Sequence, residues 1–436
     1  MPSLSLCISA AMTGSGKTIF TSALINTLLK KGYSISAGKV GPDYIDPTYS
    51  RSLTKGDVFN FDTWAMNENT LDNLMIESSN AADFQIFEGV MGLFDGTSNQ
   101  QSSTASFVKK YKIPVLLVID ATSQSQTLAA ICKGLMSYDP EVDFIGVVLN
   151  KVASERHFLL IDEELKKNNI NVIGYLPTTP DLVFPRRHLG LHLAHQINEY
   201  KSLIDKASAV VMSNIKIDQI LSLAKPPKDI RPKKDLPSPI NLGQKISIAR
   251  DEAFSFIYDH TLYQWQKEGR ELKFFSPLND ESPDKSSTGI YLPGGYPELH
   301  CETISKNKKF LESMNKARIE NKIIYGECGG YMVLGESIFN NKNKEYKMLG
   351  FLDLITSFHE RKLNLGYRKV SANHKCKYFD RKSFLTGHEY HYSTIIKEKG
   401  EPLFLEKEKT LSTNGYGLIK KNVFGSFLHL IDQKLK

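Results

Sequence analysis

The chain has 436 residues, of which 41% are hydrophobic and 24% are charged. This length accommodates two or three domains with their own cores, and the composition excludes an intrinsically disordered protein. The net charge of +7 is dispersed, without a basic stripe interleaved with aromatic residues. Neither a nucleic-acid partner nor a membrane partner is therefore predicted.

The apolar runs and the cysteines narrow the class of protein further. The run from Ile113 to Ile119 is far shorter than the roughly 20 residues of a membrane-spanning helix. No basic segment precedes the first apolar stretch, so no signal peptide is predicted. The cysteines are scattered and lack CxxC spacing, which favours a reducing cytoplasm over a disulfide framework or a zinc site. They are Cys7, Cys132, Cys301, Cys328 and Cys376.

Up to about residue 225, short apolar strands alternate with longer amphipathic segments. Near-continuous Val, Ile and Leu runs predict an α/β fold with a parallel sheet covered by helices on both faces. The predicted strands are Leu4–Ser9, Ser34–Val40, Phe84–Glu88, Val115–Asp120, Phe144–Asn150 and Asn171–Leu176. Ligands bind at the C-terminal ends of such strands. Lys39 to Asp46, Glu88 to Asp95, Asp120 and Asn150 stand at these ends.

A linker is predicted over residues 226–244. Five prolines fall between Ala224 and Gln244, where they exclude a regular helix or a central strand. A second α/β pattern begins with KISIAR at Lys245. The sequence thus predicts a first domain of residues 1–225 and a second domain of residues 245–436.

A phosphate-binding loop is predicted between the first strand and the helix that follows it. The pattern G-x-x-x-x-G-K-[ST] is met at Gly16, Lys17 and Thr18, with an alanine in place of the first glycine. Gly14, Ser15 and Gly16 would turn backbone N–H groups toward phosphate oxygens at a helix N-terminus. Lys17 would neutralise the β- and γ-phosphates, and Thr18 would offer its hydroxyl to Mg²⁺. The alternative is a turn that merely joins strand to helix.

An acidic metal partner is expected at the end of a strand. Glu88 ends the strand FQIFE and is the first candidate, while Asp43 and Asp95 are the others. Each acid alone is equally compatible with a helix cap or a turn. Their convergence with a phosphate loop on one side of the sheet favours a function.

A reactive thiol is predicted at Cys328, which lies in a G-x-C-x-G sequence between a strand and a helix. Such a nucleophile elbow would expose the sulfur and lower its pKa at the helix N-terminus. Gly294 and Gly295 would direct backbone N–H groups at an oxyanion. His429, at the end of a predicted short strand, is the candidate base. Taken separately, such a thiol is more often an inert buried residue and such a histidine more often a core residue, whereas the elbow, the Gly-Gly loop and the histidine together favour a function.

Long sequence strings then identify a resemblance over nearly the whole chain. They include KVGPDYIDP, FNFDTW, FEGVMGLFDG, LPGGYPE, GECGGYM, GHEYHYS and GSFLHL. On these strings the chain resembles the cobyrinate a,c-diamide synthases, which are ATP- and glutamine-dependent amidases of cobalamin biosynthesis. The resemblance implies a dethiobiotin-synthetase-like ATPase domain followed by a class I glutamine amidotransferase-like domain.

The resemblance also implies roles in three steps. Cys328 would form a thioester with glutamine, with His429 as the proton shuttle. Ammonia would pass internally to the first domain. There, ATP would phosphorylate the c and then the a acetate side chain of the macrocycle, and ammonia would displace each phosphate.

For the first domain, the resemblance implies that Lys17 and Thr18 bind ATP with Mg²⁺. Asp43, Glu88 and Asp95 would form the metal and acid-activation site. Lys39 would face the transferred phosphate.

Two departures from the family pattern stand out. In the wider amidotransferase class a glutamate follows the catalytic histidine by two residues, whereas this chain has Ile431. A thiol tolerates the loss of an orienting acid better than a serine does, so glutaminase activity is still expected. Arg186 replaces the usual Glu and is given no role. His388 and His391 flank the thiol site in the resemblance but are assigned no step.

Several alternatives remain open at this stage. The macrocycle could be hydrogenobyrinic acid or Ni-sirohydrochlorin rather than cobyrinic acid, and a homodimer is compatible with the family. A protein of another class, a P-loop switch ATPase with a non-catalytic amidotransferase domain, would carry a second lysine early in the loop. This chain has Ala10, Ala11 and Met12 there.

Overall fold

The computed structural model describes residues 3–80, 82–98, 100–179, 186–187, 190–191, 194, 200–234, 236–406 and 415–435. The chain forms two compact units. The first unit comprises Met1–Trp64 and Glu68–Asp235, and the second comprises Ala65–Asn67 and Leu236–Lys436. The sequence-based bounds 1–225, 226–244 and 245–436 stay predictions.

The first unit alternates strands and helices. Its strands are β1 (Leu4–Ala10), β2 (Ile35–Val40), β3 (Phe59–Phe61), β4 (Phe84–Glu88), β5 (Val115–Asp120), β6 (Phe144–Val152), β7 (Val172–Pro177), β8 (Arg186–Arg187) and β9 (Gly190–Leu191). Its helices are α1 (Lys17–Lys30), α2 (Asp46–Thr54), α3 (Glu68–Asn80), α4 (Thr104–Tyr111), α5 (Thr127–Tyr138), α6 (Glu155–Lys167), α7 (Tyr200–Asn214) and α8 (Ile217–Leu223).

The main sheet of the first unit is parallel, with strand order β3-β2-β4-β1-β5-β6-β7. All six predicted strands are present, which confirms the α/β fold. The three-residue strand β3 was not predicted, because FNF is too short to show a period. Side chains from both faces of β1 are buried, as in Leu6, Cys7 and Ile8. This double burial explains the continuous apolar runs in the sequence.

The second unit contains more strands than helices. Its strands are β10 (Lys245–Ala249), β11 (Glu271–Phe275), β12 (Gly289–Leu292), β13 (Ile323–Glu327), β14 (Ser337–Phe339), β15 (Glu345–Lys347), β16 (Leu354–Ser357), β17 (Asn364–Ala372), β18 (Ser383–His391), β19 (Thr394–Glu398), β20 (Glu401–Glu406), β21 (Gly415–Lys420), β22 (Val423–Ser426) and β23 (Leu428–Leu435). Its helices are α9 (Asp259–Lys267), α10 (Cys301–Lys306), α11 (Lys308–Ile319) and α12 (Gly329–Leu334).

The largest sheet of the second unit has the order β11-β10-β12-β13-β22-β21-β20-β17-β18-β23. Its first five strands pair in parallel and the rest pair antiparallel. The prediction that His429 ends a short strand is wrong. His429 is the second residue of the eight-residue β23, whose pairing with β18 extends it to Leu435.

No helix among the described residues combines the length and apolarity required to cross a membrane. Residues 225–234 and 236–244 form neither a helix nor a named strand, as the prolines predict.

Candidate active sites

The loop between β1 and α1 has the backbone geometry of a phosphate cradle. Gly14 and Gly16 have φ angles of 85° and 95°, in the left-handed region that favours glycine. A Cβ on Gly16 would lie 2.1 Å from Nδ2 of Asn150. That amide donates to the carbonyl of Ser15 at 2.8 Å, and the Ser15 hydroxyl donates to Met12 O at 2.9 Å. The loop is therefore held in shape by a hydrogen bond of its own and by one from β6.

Lys17 is folded back onto the protein at the start of α1. Its Nζ donates to Met91 O at 2.5 Å and to Met12 O at 3.3 Å. Burial lowers the pKa of Lys17, and the positive charge of Lys39 lowers it further. The ammonium group is thus poorly compensated, which is a good setting for an anionic ligand.

Lys39 lies at the centre of a buried cluster of acids at the C-terminal ends of β2 and β4. Its Nζ lies 2.5 Å from Asp46 Oδ2, 3.1 Å from Glu88 Oε1 and 4.0 Å from Asp43 Oδ2. Burial would lower the pKa of Lys39, but Asp46, Glu88 and Asp43 raise it above its ordinary value. The lysine therefore stays charged, although only 2% of it is exposed.

The predicted acids differ in their surroundings. Glu88 Oε1 accepts from the Thr18 hydroxyl at 2.9 Å, and burial raises the pKa of Glu88 to about 7. Asp43 accepts from the N–H groups of Ile45 and Asp46 at the start of α2, and burial raises its pKa to about 6. The structure brings Asp43 and Glu88 together beside Lys39, and Thr18 contacts this group through Glu88.

Asp95 has a different immediate role. Its Oδ2 accepts from the N–H of Gly92 at 2.9 Å, which fixes the turn after β4. Its charge also acts on Lys17, where it opposes the net lowering of the pKa. Asp95 has no described hydrogen bond to the Lys39 cluster, and its predicted part in acid activation remains a prediction.

The oxygen atoms beside the phosphate loop suit a magnesium ion bound with ATP. Within the described ranges, no group of three or more His, Cys, Asp or Glu side chains could hold a metal by itself. Mg²⁺ commonly uses one or two protein oxygens and completes its shell with water and substrate phosphates. The Thr18 hydroxyl and the Glu88 carboxylate, 2.9 Å apart, match this pattern.

Sequence reasoning assigned no role to three residues that complete this site. Asp46 is the nearest anion to Lys39, and Asn150 ties β6 to the phosphate loop. Lys151 lies 2.5 Å from Asp120 Oδ2 and 3.5 Å from Gly14 O. Their position at strand ends was visible, but the pairing of each side chain depends on the fold.

Cys328 occupies a sharp turn between β13 and α12 in the second unit. Its φ of 46° and ψ of −103° are strained for a residue with a side chain. Its N–H donates to Ser426 O at 2.8 Å, and its Sγ contacts Tyr390 O at 3.8 Å. This is the turn that the glycine pattern predicted.

The expected exposure and low pKa of Cys328 are wrong for this structure. The residue is only 3% exposed, and burial raises the pKa of its thiol, with Glu298 adding to the effect. Removal from water disfavours a thiolate. The N–H of Gly329, at the start of the following helix, lowers the pKa, but the net effect is a rise. Activation of the sulfur must therefore come from a neighbouring base.

The loop at Gly294 and Gly295 packs against both the histidine and the elbow. A Cβ on Gly294 would lie 2.3 Å from Cε1 of His429. A Cβ on Gly329, the residue after Cys328, would lie 3.0 Å from the N atom of Gly295. One glycine loop therefore brings the imidazole and the thiol turn into the same site.

His429 is buried beside β18, where it pairs with His388 in the strand register. Burial lowers the pKa of His429 to about 3, and His388 and His391 contribute in the same direction. Its Nδ1 lies 3.9 Å from Oε2 of Glu327, the residue before Cys328. The neutral imidazole can accept a proton, as a base must.

The GHEYHYS segment carries a charged pair next to this site. Glu389 binds Arg368 Nη2 at 2.7 Å and His391 Nε2 at 3.1 Å. Burial opposes ionisation of Glu389, but His391 and Arg368 lower its pKa below the ordinary value. Burial lowers the pKa of His388 to about 4. No step is assigned to either histidine.

The other four cysteines are free and buried, and each lies outside an elbow. Their burial is that of structural thiols. They are Cys7, Cys132, Cys301 and Cys376.

Comparison with known proteins agrees with this two-site arrangement. A family model described as CobQ/CobB/MinD/ParA nucleotide binding domain matches residues 6–189. A second, described as CobB/CobQ-like glutamine amidotransferase domain, matches residues 245–434.

Full-length relatives identify the family more closely. The chain is 39% identical over 429 residues to a hydrogenobyrinate a,c-diamide synthase of Rhizobium meliloti, covering 98% of this chain and 99% of the relative. Proteins of the same name from a Sinorhizobium species and from Brucella anthropi are 39% and 38% identical to this chain. Each of these alignments covers 98% of this chain and 98% of the relative. The chain belongs to the a,c-diamide synthase family.

Members of the a,c-diamide synthase family are glutamine-hydrolysing, amidating ligases with both domain types on one chain. This membership confirms the predicted α/β fold and enzyme class. It argues against the switch-ATPase alternative, because the similarity extends through the amidotransferase domain as well as the nucleotide-binding domain.

Proposed function

We propose that this chain amidates the a and c acetate side chains of a cobyrinic-acid-type macrocycle, with ATP and glutamine as co-substrates. The observation that carries the proposal is the full-length similarity to enzymes named for this reaction. Cobyrinic acid and its cobalt-free counterpart, hydrogenobyrinic acid, are both candidate substrates. The names of the relatives favour the second.

In the first domain, Gly14, Ser15 and Gly16 cradle the ATP phosphates and Lys17 neutralises them. A substrate carboxylate oxygen attacks the γ-phosphorus, forming an O–P bond as the bond to ADP breaks. Lys39 stabilises the charge on the transferred group, because its ammonium is kept ionised by the surrounding acids. Asp95 fixes the turn after β4 and places a negative charge near Lys17.

The magnesium site is part of the proposal. Bound Mg²⁺ would neutralise phosphate charge, and Thr18, Asp43 and Glu88 are the residues that would hold it. The acyl phosphate then reacts with ammonia, so that a C–N bond forms, phosphate leaves and one proton is lost.

In the second domain, Cys328 attacks the side-chain amide of glutamine and His429 moves the proton. Gly294 and Gly295 supply the backbone environment for the oxyanion. Their contacts with His429 and with the elbow support this assignment. The released ammonia is delivered internally to the first domain.

The central experiment incubates the pure chain with Mg-ATP, glutamine and a panel of tetrapyrrole acids, and counts added amides by mass spectrometry. The panel contains cobyrinic acid, hydrogenobyrinic acid and Ni-sirohydrochlorin. Two added amides on one of the first two acids are expected. No added amide on any acid, with either glutamine or an ammonium salt, would contradict the proposal.

Lys17→Ala is the matched variant for the ATP site. It should lose amidation with glutamine and with ammonium salts alike, because the acid can no longer be activated. Ammonia-dependent turnover at the wild-type rate in this variant would remove Lys17 from the site.

The proposed binding partners are small-molecule substrates only, without a nucleic acid or a membrane. The proposed location of the enzyme is the cytoplasm. Five free cysteines agree with a reducing compartment. A homodimer is compatible with the proposal, and light scattering of the pure chain distinguishes it from a monomer.

A further inference from the structure

Glu327 is a buried acid that the proposed mechanism has not used. It precedes Cys328 at the end of β13, and its side chain is 6% exposed. Tyr291 donates to its Oε2 at 2.7 Å, and Tyr325 donates to its Oε1 at 2.7 Å. The N–H of Leu430 donates to Oε1 at 3.3 Å. Three hydrogen-bond donors directed at one carboxyl group favour its ionised form. They oppose the effect of burial, and the pKa of Glu327 is raised to about 7.

This carboxylate faces the histidine. Its Oε2 lies 3.9 Å from Nδ1 of His429, an electrostatic contact somewhat longer than a hydrogen bond. Catalytic hydrogen bonds are often long before substrate binds. A cavity of about 10 Å³ adjoins Glu327, lined in part by Tyr258 and Tyr291, and such a volume holds at most one water. Little solvent therefore screens the contact between the two side chains.

The position that usually supplies the acid cannot do so here. Ile431 has an aliphatic side chain and is only 3% exposed. The pairing of β18 with β23 shifts at this point: Thr386 pairs with Asp432 and Gly387 with Leu430, which leaves Ile431 as an extra residue. Such bulges redirect side chains beside active sites.

We propose that Glu327 takes the place of the missing acid, as a positioning residue that orients His429 and stabilises its protonated form. The inference rests on the proposed glutaminase function. It moves the third member of the triad from the histidine strand to the residue that precedes the nucleophile.

The chemical step shows where the carboxylate acts. His429 accepts the proton of the Cys328 thiol as sulfur attacks the amide carbon of glutamine. A C–S bond forms, the C–N bond breaks, and nitrogen leaves as ammonia with the proton from His429. Water then hydrolyses the thioester to glutamate and restores the thiol. Each step that carries an imidazolium benefits from the negative charge of Glu327.

That charge is needed because the other groups around the ring oppose protonation. His388 lies opposite His429 on β18, and the electrostatic effect of His388 and His391 lowers the pKa of His429 in addition to burial. The carboxylate of Glu327 is held by its two tyrosines 3.9 Å from Nδ1, and a negative charge at that distance favours the protonated ring.

The test compares Glu327→Gln with the wild-type full chain. Hydrolysis of glutamine should fall by about 10- to 100-fold in kcat with little change in KM, less than the roughly 10⁴-fold loss in a serine triad. Amidation with ammonium salts should be unchanged. The acidic limb of the pH profile for glutamine hydrolysis should move to lower pH, because the neutral imidazole is the active form and losing the carboxylate lowers the pKa of the imidazolium.

Glu268→Gln is the matched control. Glu268 Oε1 also accepts a backbone hydrogen bond, from Ser238, but it belongs to neither site. Its variant should keep both activities. Wild-type glutamine hydrolysis with an unshifted pH profile in Glu327→Gln would overturn the inference.

A second variant decides the matter if Glu327→Gln also loses ammonia-dependent amidation. Tyr291→Phe keeps the carboxylate and removes one donor to its Oε2. Glutamine hydrolysis should then fall by about 2- to 10-fold with ammonia-dependent amidation intact. Unchanged hydrolysis in Tyr291→Phe would overturn the inference. Failure of the wild-type chain to amidate any acid would instead count against the proposed function, and glutamine hydrolysis would still test Glu327.

Discussion

The ammonium nitrogen of Lys39 lies 2.5 Å from a carboxylate oxygen of Asp46, and both side chains are largely removed from water. The two residues are seven positions apart, on β2 and at the start of α2. A buried charge without its partner is expensive, so this contact links the stability of the first unit to its proposed chemistry.

Replacement of Asp46 by Asn should destabilise the first unit by about 3 kcal/mol, because it leaves the Lys39 charge buried with less compensation. Urea denaturation followed through Trp64, in a Trp265→Phe background, measures this free energy of unfolding. The chain has two tryptophans, one in each unit. Asp205→Asn is the control, since its 2.7 Å pair with Lys30 is exposed and should contribute at most about 1 kcal/mol. Equal losses in the two variants would contradict the expectation.

Replacement of Cys328 by Ala should abolish glutamine-dependent amidation and leave amidation with ammonium salts at the wild-type rate. The reason is that only the thiol can release nitrogen from glutamine, whereas the acid is activated elsewhere. Cys376→Ala removes another buried thiol of the second unit and should keep both activities. Product amides counted by mass spectrometry distinguish the two nitrogen sources. Equal loss with both sources would show that Cys328 is not the glutaminase nucleophile.

Replacement of Gly294 by Ala should lower glutamine hydrolysis by at least about tenfold, comparable to the loss of an oxyanion-hole or base contact. The new methyl group would lie 2.3 Å from Cε1 of His429 and must displace the ring. Ammonia-dependent amidation should persist. The control is Gly134→Ala in α5, where an added Cβ has no heavy atom within 4 Å and should leave activity intact. A fully active Gly294→Ala enzyme would exclude the tight contact.

His260 should make the second unit sensitive to acid. Its Nε2 contacts Ile431 O at 3.0 Å, and burial lowers its pKa to about 4 from 6.5. Below pH 6.5 the unfolded chain binds a proton that the folded chain does not accept until about pH 4. The stabilisation is therefore complete above pH 6.5 and is lost as the pH falls to about 4, at about 1.4 kcal/mol per pH unit.

The measurement compares the wild type with His260→Gln by urea denaturation at several pH values, followed through Trp265 in a Trp64→Phe background. Glu327, whose pKa is raised to about 7, acts in the opposite direction but cancels in the difference. Plotted against pH, the free energies of unfolding of the two proteins should run parallel above pH 7. Their difference should then change by up to about 3 kcal/mol toward pH 4, as the wild type loses stability relative to the variant. Parallel curves throughout would show that His260 is not buried in its neutral form.

Much of the fold followed from local patterns. The continuous apolar runs of β1, β2, β4, β5, β6 and β7 report burial on both faces of a parallel sheet. Gly16 and Cys328 were found because their turns require particular neighbours within a few residues. The antiparallel half of the second sheet was missed, since its pairings join strands far apart in the chain.

The family, the two domain types, the phosphate loop and the thiol elbow could all be predicted from short stretches of the chain, because each depends on residues that are close together. The burial of the Cys328 thiol, the compensation of Lys39 by Asp46 and the approach of Glu327 to His429 became visible only in the folded chain. Burial and charge pairing depend on which distant segments come within a few ångströms, and the spacing of residues along a chain does not specify those distances.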